Sequence, residues 1–134
     1  PVKARRESRT GTILLVEDQE VARTAMRELL EDQGYRVLEA RDAREALRLA
    51  KEHAGEVDLA LTDLGLPDGR GTALVSRLRE SHAELPVMYM SGNAPQDDPE
   101  LAEALQQPRT SYVGKPIELD RVIDELSQLL DEAG

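Results

Sequence analysis

Five side chains that can carry charge or form hydrogen bonds follow directly after short apolar runs of the sequence. Glu17 and Asp18 follow the first run, Asp63 follows the third, Ser91 the fourth and Lys115 the fifth. If each run is a strand of one parallel sheet, the strand ends lie at one edge, where open sheets of this kind bind ligands. We therefore expect three carboxylates, one hydroxyl and one ammonium group to meet there.

Three carboxylates crowd together only where positive charge offsets them, and a hard dication bound by oxygen is the natural partner. Mg²⁺ prefers octahedral oxygen ligands, keeps several waters and needs only one or two carboxylates from the protein. Lys115 would add a point charge opposite the acids. Such a site suits phosphoryl transfer, in which the metal and the lysine stabilise charge on the phosphoryl oxygens and a carboxylate acts as the nucleophile.

The apolar pattern along the chain predicts five strands that alternate with five helices. The strands are predicted at residues 12–16, 35–40, 57–62, 86–90 and 111–114. Asp18 and Asp42 stand where N-caps of the first two helices would stand, and Pro99 opens the fourth helix, which is predicted to run to about Gln106. The glycine-rich residues 65–71 predict a long turn between the third strand and the third helix.

This alternation is typical of an α/β fold in which helices cover both faces of a parallel sheet through right-handed crossovers. A length of 134 residues favours one domain, which we place at residues 12–132. Residues 1–11 are polar and basic and are predicted to form a tail or linker. Because the chain contains three Tyr, no Phe and no Trp, its core is predicted to be aliphatic.

Composition and charge argue against several classes of function. Without cysteine, the chain has no disulfide, no thiolate metal site and no cysteine nucleophile. The net charge of -10 argues against direct nucleic-acid binding, which depends on clustered Lys and Arg. The apolar runs are too short to span a membrane, and none follows the basic N-terminal residues as in a signal peptide. We expect a cytoplasmic domain with no membrane contact of its own.

Residues 14–18, 63–71, 90–92 and 112–116 resemble, in order and spacing, the signature blocks of response-regulator receiver domains of two-component signalling. Each block alone is an ordinary feature, since a lone acid before a helix is usually a cap and Ser91-Gly92 is a common turn. All four blocks in order, each at a strand end, make the resemblance specific. It covers residues 11–132 and implies a flavodoxin-like, doubly wound (βα)5 fold with strand order 2-1-3-4-5.

The resemblance also implies roles for the acidic residues and for one glycine. Asp63 matches the phosphoacceptor of the family. Asp18 matches a direct ligand of Mg²⁺, and Glu17 matches the acid that acts on the metal mostly through water. Gly65 matches the position whose backbone carbonyl completes the metal shell.

Three further matches concern the phosphoryl group and the response to it. Lys115 matches the lysine that pairs with the phosphoryl group, and Ser91 matches the residue that hydrogen-bonds to it. Tyr112 matches the aromatic residue that turns inward as Ser91 moves. The fourth helix, fifth strand and fifth helix are therefore expected to form the surface that responds to this movement. The implied partners are a histidine kinase or histidine phosphotransfer domain, an unknown output partner and, optionally, a second copy of the domain.

Gly65 and Gly92 depart from common usage at the site. Neither carries a side chain, so we expect the acceptor to be open to water and the phosphoryl lifetime to depend on both positions. Arg70 lies close to the site in sequence and is predicted to be solvated. Four other polar residues are predicted to lie at the surface without a catalytic role, the two histidines near helix C-termini: His53, Asp58, Asp68 and His82.

Other functions and contexts remain open at this stage. An aspartyl-nucleophile phosphatase of the haloacid-dehalogenase type needs a second acid two residues after the nucleophile, where Gly65 stands. A pseudo-receiver that binds without phosphorylation is disfavoured because the key positions are filled. A receiver assists its own phosphorylation but is not a turnover enzyme. The basic first residues, the missing initiator Met and residues 66–69 and 88–92 resemble the C-terminal receiver of a hybrid histidine kinase, with a stand-alone regulator as the alternative.

Overall fold

The computed structural model describes residues 11–133, so the predicted basic tail lies outside the described part except for Gly11. Five parallel strands form one sheet: β1 (Thr12–Val16), β2 (Arg36–Ala40), β3 (Leu59–Asp63), β4 (Val87–Ser91) and β5 (Thr110–Gly114). Five helices alternate with them: α1 (Glu20–Asp32), α2 (Ala43–Glu52), α3 (Gly71–Ser81), α4 (Pro99–Ala104) and α5 (Leu119–Ala133). The sheet order β2-β1-β3-β4-β5 confirms the predicted fold class and strand order.

Successive side chains of the strands point to opposite faces of the sheet and fill two separate cores. On β1, Ile13 and Leu15 pack with residues of α1 and α5, whereas Leu14 and Val16 pack with residues of α2, α3 and α4. The strands β1, β3 and β4 are buried along their whole length, as expected for strands covered on both faces. This explains why the interior strands are continuous apolar runs in the sequence.

Aromatic rings contribute more to these cores than predicted. Tyr35 and Tyr89 are 5% and 2% exposed, so the prediction of a wholly aliphatic core was wrong for these two positions. Burial raises the pKa of the Tyr89 phenol to about 12. Among the described residues, no helix is both long enough and apolar enough to cross a lipid bilayer.

The ends of the helices follow local capping chemistry, with two corrections to the prediction. The N-cap of α1 is Gln19 rather than Asp18, and its side chain makes no capping hydrogen bond. The predicted cap Asp42 is confirmed, because its side chain accepts a hydrogen bond from the Glu45 N–H. Helix α4 ends at Ala104 instead of Gln106, since the chain tightens there into i→i−3 hydrogen bonds.

The glycine-rich segment after β3 is a hairpin rather than a plain turn. Residues Gly65–Leu66 pair antiparallel with Gly69–Arg70. Asp68 at its tip is exposed, as predicted, but it also accepts hydrogen bonds from the backbone N–H groups of Ala43 and Arg44 at 2.9 and 3.0 Å. These bonds lower the pKa of Asp68 and tie the hairpin to the N-terminus of α2.

The two histidines lie at helix C-termini, as predicted. His53 is the C-cap of α2, and His82 is the C-cap of α3. The His53 ring lies 3.4 Å from a carboxylate oxygen of Glu56, and His82 is exposed. Both are at the opposite edge of the sheet from the strand ends that carry the predicted site.

Helix α3 begins in direct contact with the end of β3. The Gly71 N–H donates a hydrogen bond to the Leu64 carbonyl oxygen at 2.6 Å. A Cβ at position 71 would collide with the carbonyl oxygen of Asp63. Glycine is therefore required here for close backbone approach, and this approach fixes where β3 delivers the Asp63 side chain.

We expect Gly71→Ala to lower the free energy of unfolding by about 1–3 kcal/mol, the usual cost of overpacking a tight contact. The clash is with backbone, so no flexible side chain can relieve it. Gly114→Ala is the matched control, because a Cβ there meets nothing within 4 Å. Urea unfolding followed by circular dichroism measures both variants, and equal stabilities would show that α3 can move freely away from Asp63.

Candidate functional site

Three carboxylates meet at the C-terminal edge of the sheet, as the sequence predicted. One oxygen atom from each of Glu17, Asp18 and Asp63 lies within 4.8 Å of the others. Glu17 and Asp63 are each 4% exposed, whereas Asp18 is exposed. The cluster forms because β1 and β3 are neighbours in the sheet and end at the same level. This arrangement places two buried carboxylates under one that can reach solvent.

Lys115 supplies positive charge to this cluster from the end of β5. Its Nζ lies 2.6 Å from Asp63 Oδ1 and 3.8 Å from Glu17 Oε1. Partial burial disfavours the charged form of Lys115, but the hydrogen bond to Asp63 and the charges of Asp63 and Glu17 outweigh it and raise the pKa of the ammonium group. Lys115 therefore remains a cation held against the carboxylate of Asp63.

The backbone and α1 hold Glu17 in a fixed position. Its Oε2 accepts a hydrogen bond from the Gln19 N–H at 3.0 Å, and its carbonyl oxygen accepts one from Arg23 Nη1 at 2.8 Å. Arg23 also pairs with Glu39 on β2 at 3.3 Å. Burial, together with a hydrogen bond to Asp63, raises the pKa of the Glu17 carboxyl group. Arg23 was not predicted as a site residue, because its role depends on its position beside the edge of the folded sheet.

Ser91 ends β4 beside Lys115 and is 4% exposed. Its hydroxyl group donates to the Asn93 carbonyl oxygen and accepts from the Asn93 N–H, both at 3.0 Å. Its own carbonyl oxygen accepts from the Lys115 N–H at 2.8 Å. The serine hydroxyl is therefore held by the following loop, next to the carboxylates.

A cavity of about 300 Å³ brings the predicted site residues together, with one exception. Tyr112 does not line this cavity, because it lies opposite Tyr89 in the sheet register and packs toward the core under α4. The predicted residues that line the cavity are Glu17, Asp18, Asp63, Gly65, Ser91 and Lys115. Polar residues that the prediction did not include also line it: Gln19, Arg70, Asn93 and Asp98.

The walls of the cavity are open at two glycines, as expected. A Cβ at Gly92 would meet nothing within 4 Å, and one at Gly65 would come within 3.9 Å of Arg70 Nη1 alone. Arg70 is exposed, as predicted, and it also has a partner on α4. Its guanidinium group forms an ion pair with Glu100 on α4.

The chemistry of this donor set fits a hard divalent cation. Three carboxylate oxygens in reach of one another repel when ionised, and the raised pKa of Glu17 reflects that crowding as well as its burial. An oxygen-coordinated dication would remove the repulsion, and oxygen ligands are those that Mg²⁺ prefers. Lys115 would remain available to a second anion at the same site.

Comparison with known sequences agrees with this geometry. The sequence profile of the response regulator receiver domain family matches residues 13–127 of the chain. The chain therefore belongs to that family and is a receiver domain of two-component signalling. This confirms the resemblance that the four sequence blocks indicated.

Its relatives include both transcriptional regulators and sensor kinases. The virulence transcriptional regulatory protein PhoP of Salmonella typhimurium is 36% identical over 118 residues, which are 88% of this chain and 51% of PhoP. The sensor kinase CckA of Brucella abortus is 30% identical over 130 residues, 97% of this chain and 14% of the kinase. The chain thus spans about half the length of the PhoP relatives and a smaller part of CckA.

A solved structure shows the same architecture. The crystal structure of the receiver domain from the hybrid histidine kinase CckA superposes with a TM-score of 0.76 and 33% sequence identity. The match covers 90% of this chain and 99% of that one.

The raised pKa of Glu17 predicts a pH-dependent stability when divalent cations are absent. The folded state keeps the Glu17 proton at pH values where the unfolded state, with a pKa of 4.5, releases it. The stability from this group is therefore fully present below pH 4.5 and is lost as the pH rises through the folded pKa. Glutamine cannot ionise. Between pH 4.5 and neutrality, we therefore expect the free energy of unfolding to fall less in Glu17→Gln than in the wild type.

Urea unfolding in EDTA at a series of pH values measures this difference. Glu28→Gln, at an exposed position on α1, controls for the change in net charge. Identical slopes for the wild type and Glu17→Gln would contradict the assignment of the effect to Glu17.

Proposed function

We propose that this receiver takes a phosphoryl group from a phosphohistidine onto Asp63 in a two-component phosphorelay. The observation that carries the proposal is the contact of 2.6 Å between Lys115 Nζ and the buried Asp63 carboxylate, beside the acids Glu17 and Asp18. Phosphorylation then switches a partner-binding surface formed by α4, β5 and α5. Tyr112 lies on that surface side and takes part in the switch with Ser91.

In the proposed reaction, an Asp63 carboxylate oxygen attacks the phosphorus atom of the donor. The new P–O bond forms as the P–N bond breaks, and the leaving imidazole takes up a proton. Lys115 neutralises charge on the transferred phosphoryl oxygens, and Ser91 donates a hydrogen bond to one of them once its hydroxyl leaves Asn93. Each of these groups already lines the same cavity.

Mg²⁺ is the proposed cofactor, and it would supply charge stabilisation for the phosphoryl oxygens. Asp18 and Asp63 are the proposed direct ligands, with the backbone carbonyl of Gly65 beside them and Glu17 acting through water. The exposed position of Asp18 supports its role, because an exposed carboxylate can reach a hydrated ion.

An apolar surface beside Lys115 supports a helical protein as the phosphodonor. Val21 on α1 is 85% exposed and Leu119 at the start of α5 is 52% exposed. Between these helices lies a cavity of about 340 Å³, lined in part by Ala22, Ala25 and Pro116. A histidine kinase or histidine phosphotransfer domain is the proposed partner, because such a surface accepts an apolar helix face next to the acceptor.

The parent protein is proposed to be a hybrid histidine kinase of which this domain, residues 12–132, is the C-terminal receiver, joined by the linker at residues 1–11. The match of 97% of the chain to a segment of the sensor kinase CckA supports this context. A stand-alone regulator is the alternative. The full open reading frame decides between them. We propose a cytoplasmic location without direct nucleic-acid or membrane contact; a second copy and an output partner are compatible with the switch surface.

Phosphorylation of Asp63 is tested by incubating the protein with Mg²⁺ and acetyl phosphate, and in parallel with a phosphorylated histidine phosphotransfer domain. We expect intact-mass spectra to show one added phosphoryl group, which is absent in Asp63→Asn or in EDTA. Asp58→Asn is the matched control, because the Asp58 carboxylate lies at the other end of the sheet, where it accepts a hydrogen bond from the Thr12 N–H. No adduct on the wild type, or an adduct that survives Asp63→Asn, would refute the proposal.

The open walls at Gly65 and Gly92 predict a phosphoryl lifetime that side chains can lengthen. Gly65→Asn and Gly92→Ala should each slow dephosphorylation, because they shield the acyl phosphate from attacking water. A Cβ at either position makes no contact closer than 3.9 Å in the structure. The decay of the adduct in intact-mass spectra measures the rate, with Gly114→Ala as the control. Unchanged rates in both site variants would show that these glycines do not set the lifetime.

A further inference from the structure

Arg70 places a second cation between the acidic cavity and α4. Its Nε and Nη2 lie 2.6 and 2.5 Å from Glu100 Oε1, and Nη2 lies 3.9 Å from Asp98 Oδ2. The Arg70 side chain is 50% exposed and the Glu100 side chain 42%. The pair is therefore a surface ion pair, a class that contributes little to stability because water competes for both charges.

The remaining guanidinium nitrogen lies beside Gly65, which lines the cavity. Arg70 Nη1 is the one atom near the position that a Gly65 Cβ would occupy, at 3.9 Å. Arg70 also lines the same cavity of about 300 Å³ as Asp63, Ser91 and Lys115. Because position 65 has no side chain, no Cβ separates the guanidinium group from the cavity wall at this point.

We propose that Arg70 is a phosphoryl-binding residue that leaves Glu100 when Asp63 becomes phosphorylated. The inference rests on the proposed phosphoacceptor role of Asp63. A phosphoryl group carries more charge than a single carboxylate and matches the fork of a guanidinium group, so it competes well against one exposed glutamate. Lys115, already bound to Asp63 at 2.6 Å, neutralises one side of the group, and Arg70 approaches from the side of Gly65.

The exchange links the site to α4. Glu100 also accepts a hydrogen bond from Thr72 Oγ1 at 2.8 Å, so it joins α4 to the first turn of α3 as well as to Arg70. Helix α4 has only six residues, and Leu101 is its one buried side chain. Loss of the Arg70–Glu100 ion pair therefore removes one of the contacts that hold α4 against the rest of the domain. The path runs through charge at the start of α4 and does not pass through Ser91 or Tyr112.

Beryllofluoride, a stand-in for the phosphoryl group, tests the inference in the presence of Mg²⁺. Titration calorimetry should show binding roughly tenfold weaker for Arg70→Ala, the loss expected for one charge-assisted hydrogen bond. Glu100→Gln should bind more tightly than the wild type, because it frees Arg70 and can still accept the Thr72 hydrogen bond. The double variant should bind like Arg70→Ala, since Glu100 acts only through Arg70.

Arg48 and Glu52 on α2 provide the matched control pair. They form an exposed ion pair of 2.7 Å away from the site, and Arg48→Ala and Glu52→Gln should leave the affinity unchanged. Arg70→Lys should recover only part of the affinity, because lysine keeps the charge without the fork.

Two results would overturn the role of Arg70. One is an unchanged affinity in Arg70→Ala, and the other is a Glu100→Gln effect that persists in the Arg70→Ala background. Failure of the phosphoacceptor role itself looks different: the wild type would then show no Mg²⁺-dependent binding, or Asp63→Asn would bind as the wild type does.

Discussion

The contact between the Lys115 ammonium group and the Asp63 carboxylate is the interaction on which the rest of the site depends. At 2.6 Å it holds one positive charge against a buried acid that has two other carboxylates within 4.8 Å. Like charges at such separations disfavour ionisation, and burial adds to that cost. Without a cation at the end of β5, nothing in the described part of the chain would offset the crowding of these acids at the edge of the sheet.

The sheet order turns this electrostatic requirement into geometry. In the order β2-β1-β3-β4-β5, the strands that carry the acids are neighbours, and β4 and β5 bring Ser91 and Lys115 to the same edge. Backbone contacts then set the fine positions. Gly71 lets α3 begin against the carbonyl group of Asp63, and Arg23 anchors the carbonyl group of Glu17. The precision of the site thus comes from rigid strand ends and from residues that do no chemistry themselves.

The alternation of strands and helices could be predicted because buried parallel strands are continuous apolar runs and the helices between them carry periodic apolar faces. The residues at the strand ends followed from that alternation. The contacts of Asp68 and Arg70 could not be predicted, for a physical reason. Their partners Ala43 and Glu100 lie 25 and 30 positions away, so only the folded chain brings them into contact. The mistaken cap at Asp18 has a local origin, since an acid before a helix suits either a cap or a cluster of acids.

The two cations at the cavity, Lys115 and Arg70, differ in how firmly they are held, and this difference suits them to different roles. Lys115 is paired with a carboxylate that is 4% exposed, and the contact raises its pKa, so it is held as a cation against the acceptor. Arg70 is paired with an exposed carboxylate on a short helix, so its partner can be exchanged at little cost. A fixed cation can position the acceptor before phosphorylation. A cation that changes its partner can alter the rest of the domain once phosphorylation has occurred. If Arg70 makes that exchange, the effect reaches α4 through Glu100 rather than through the sheet.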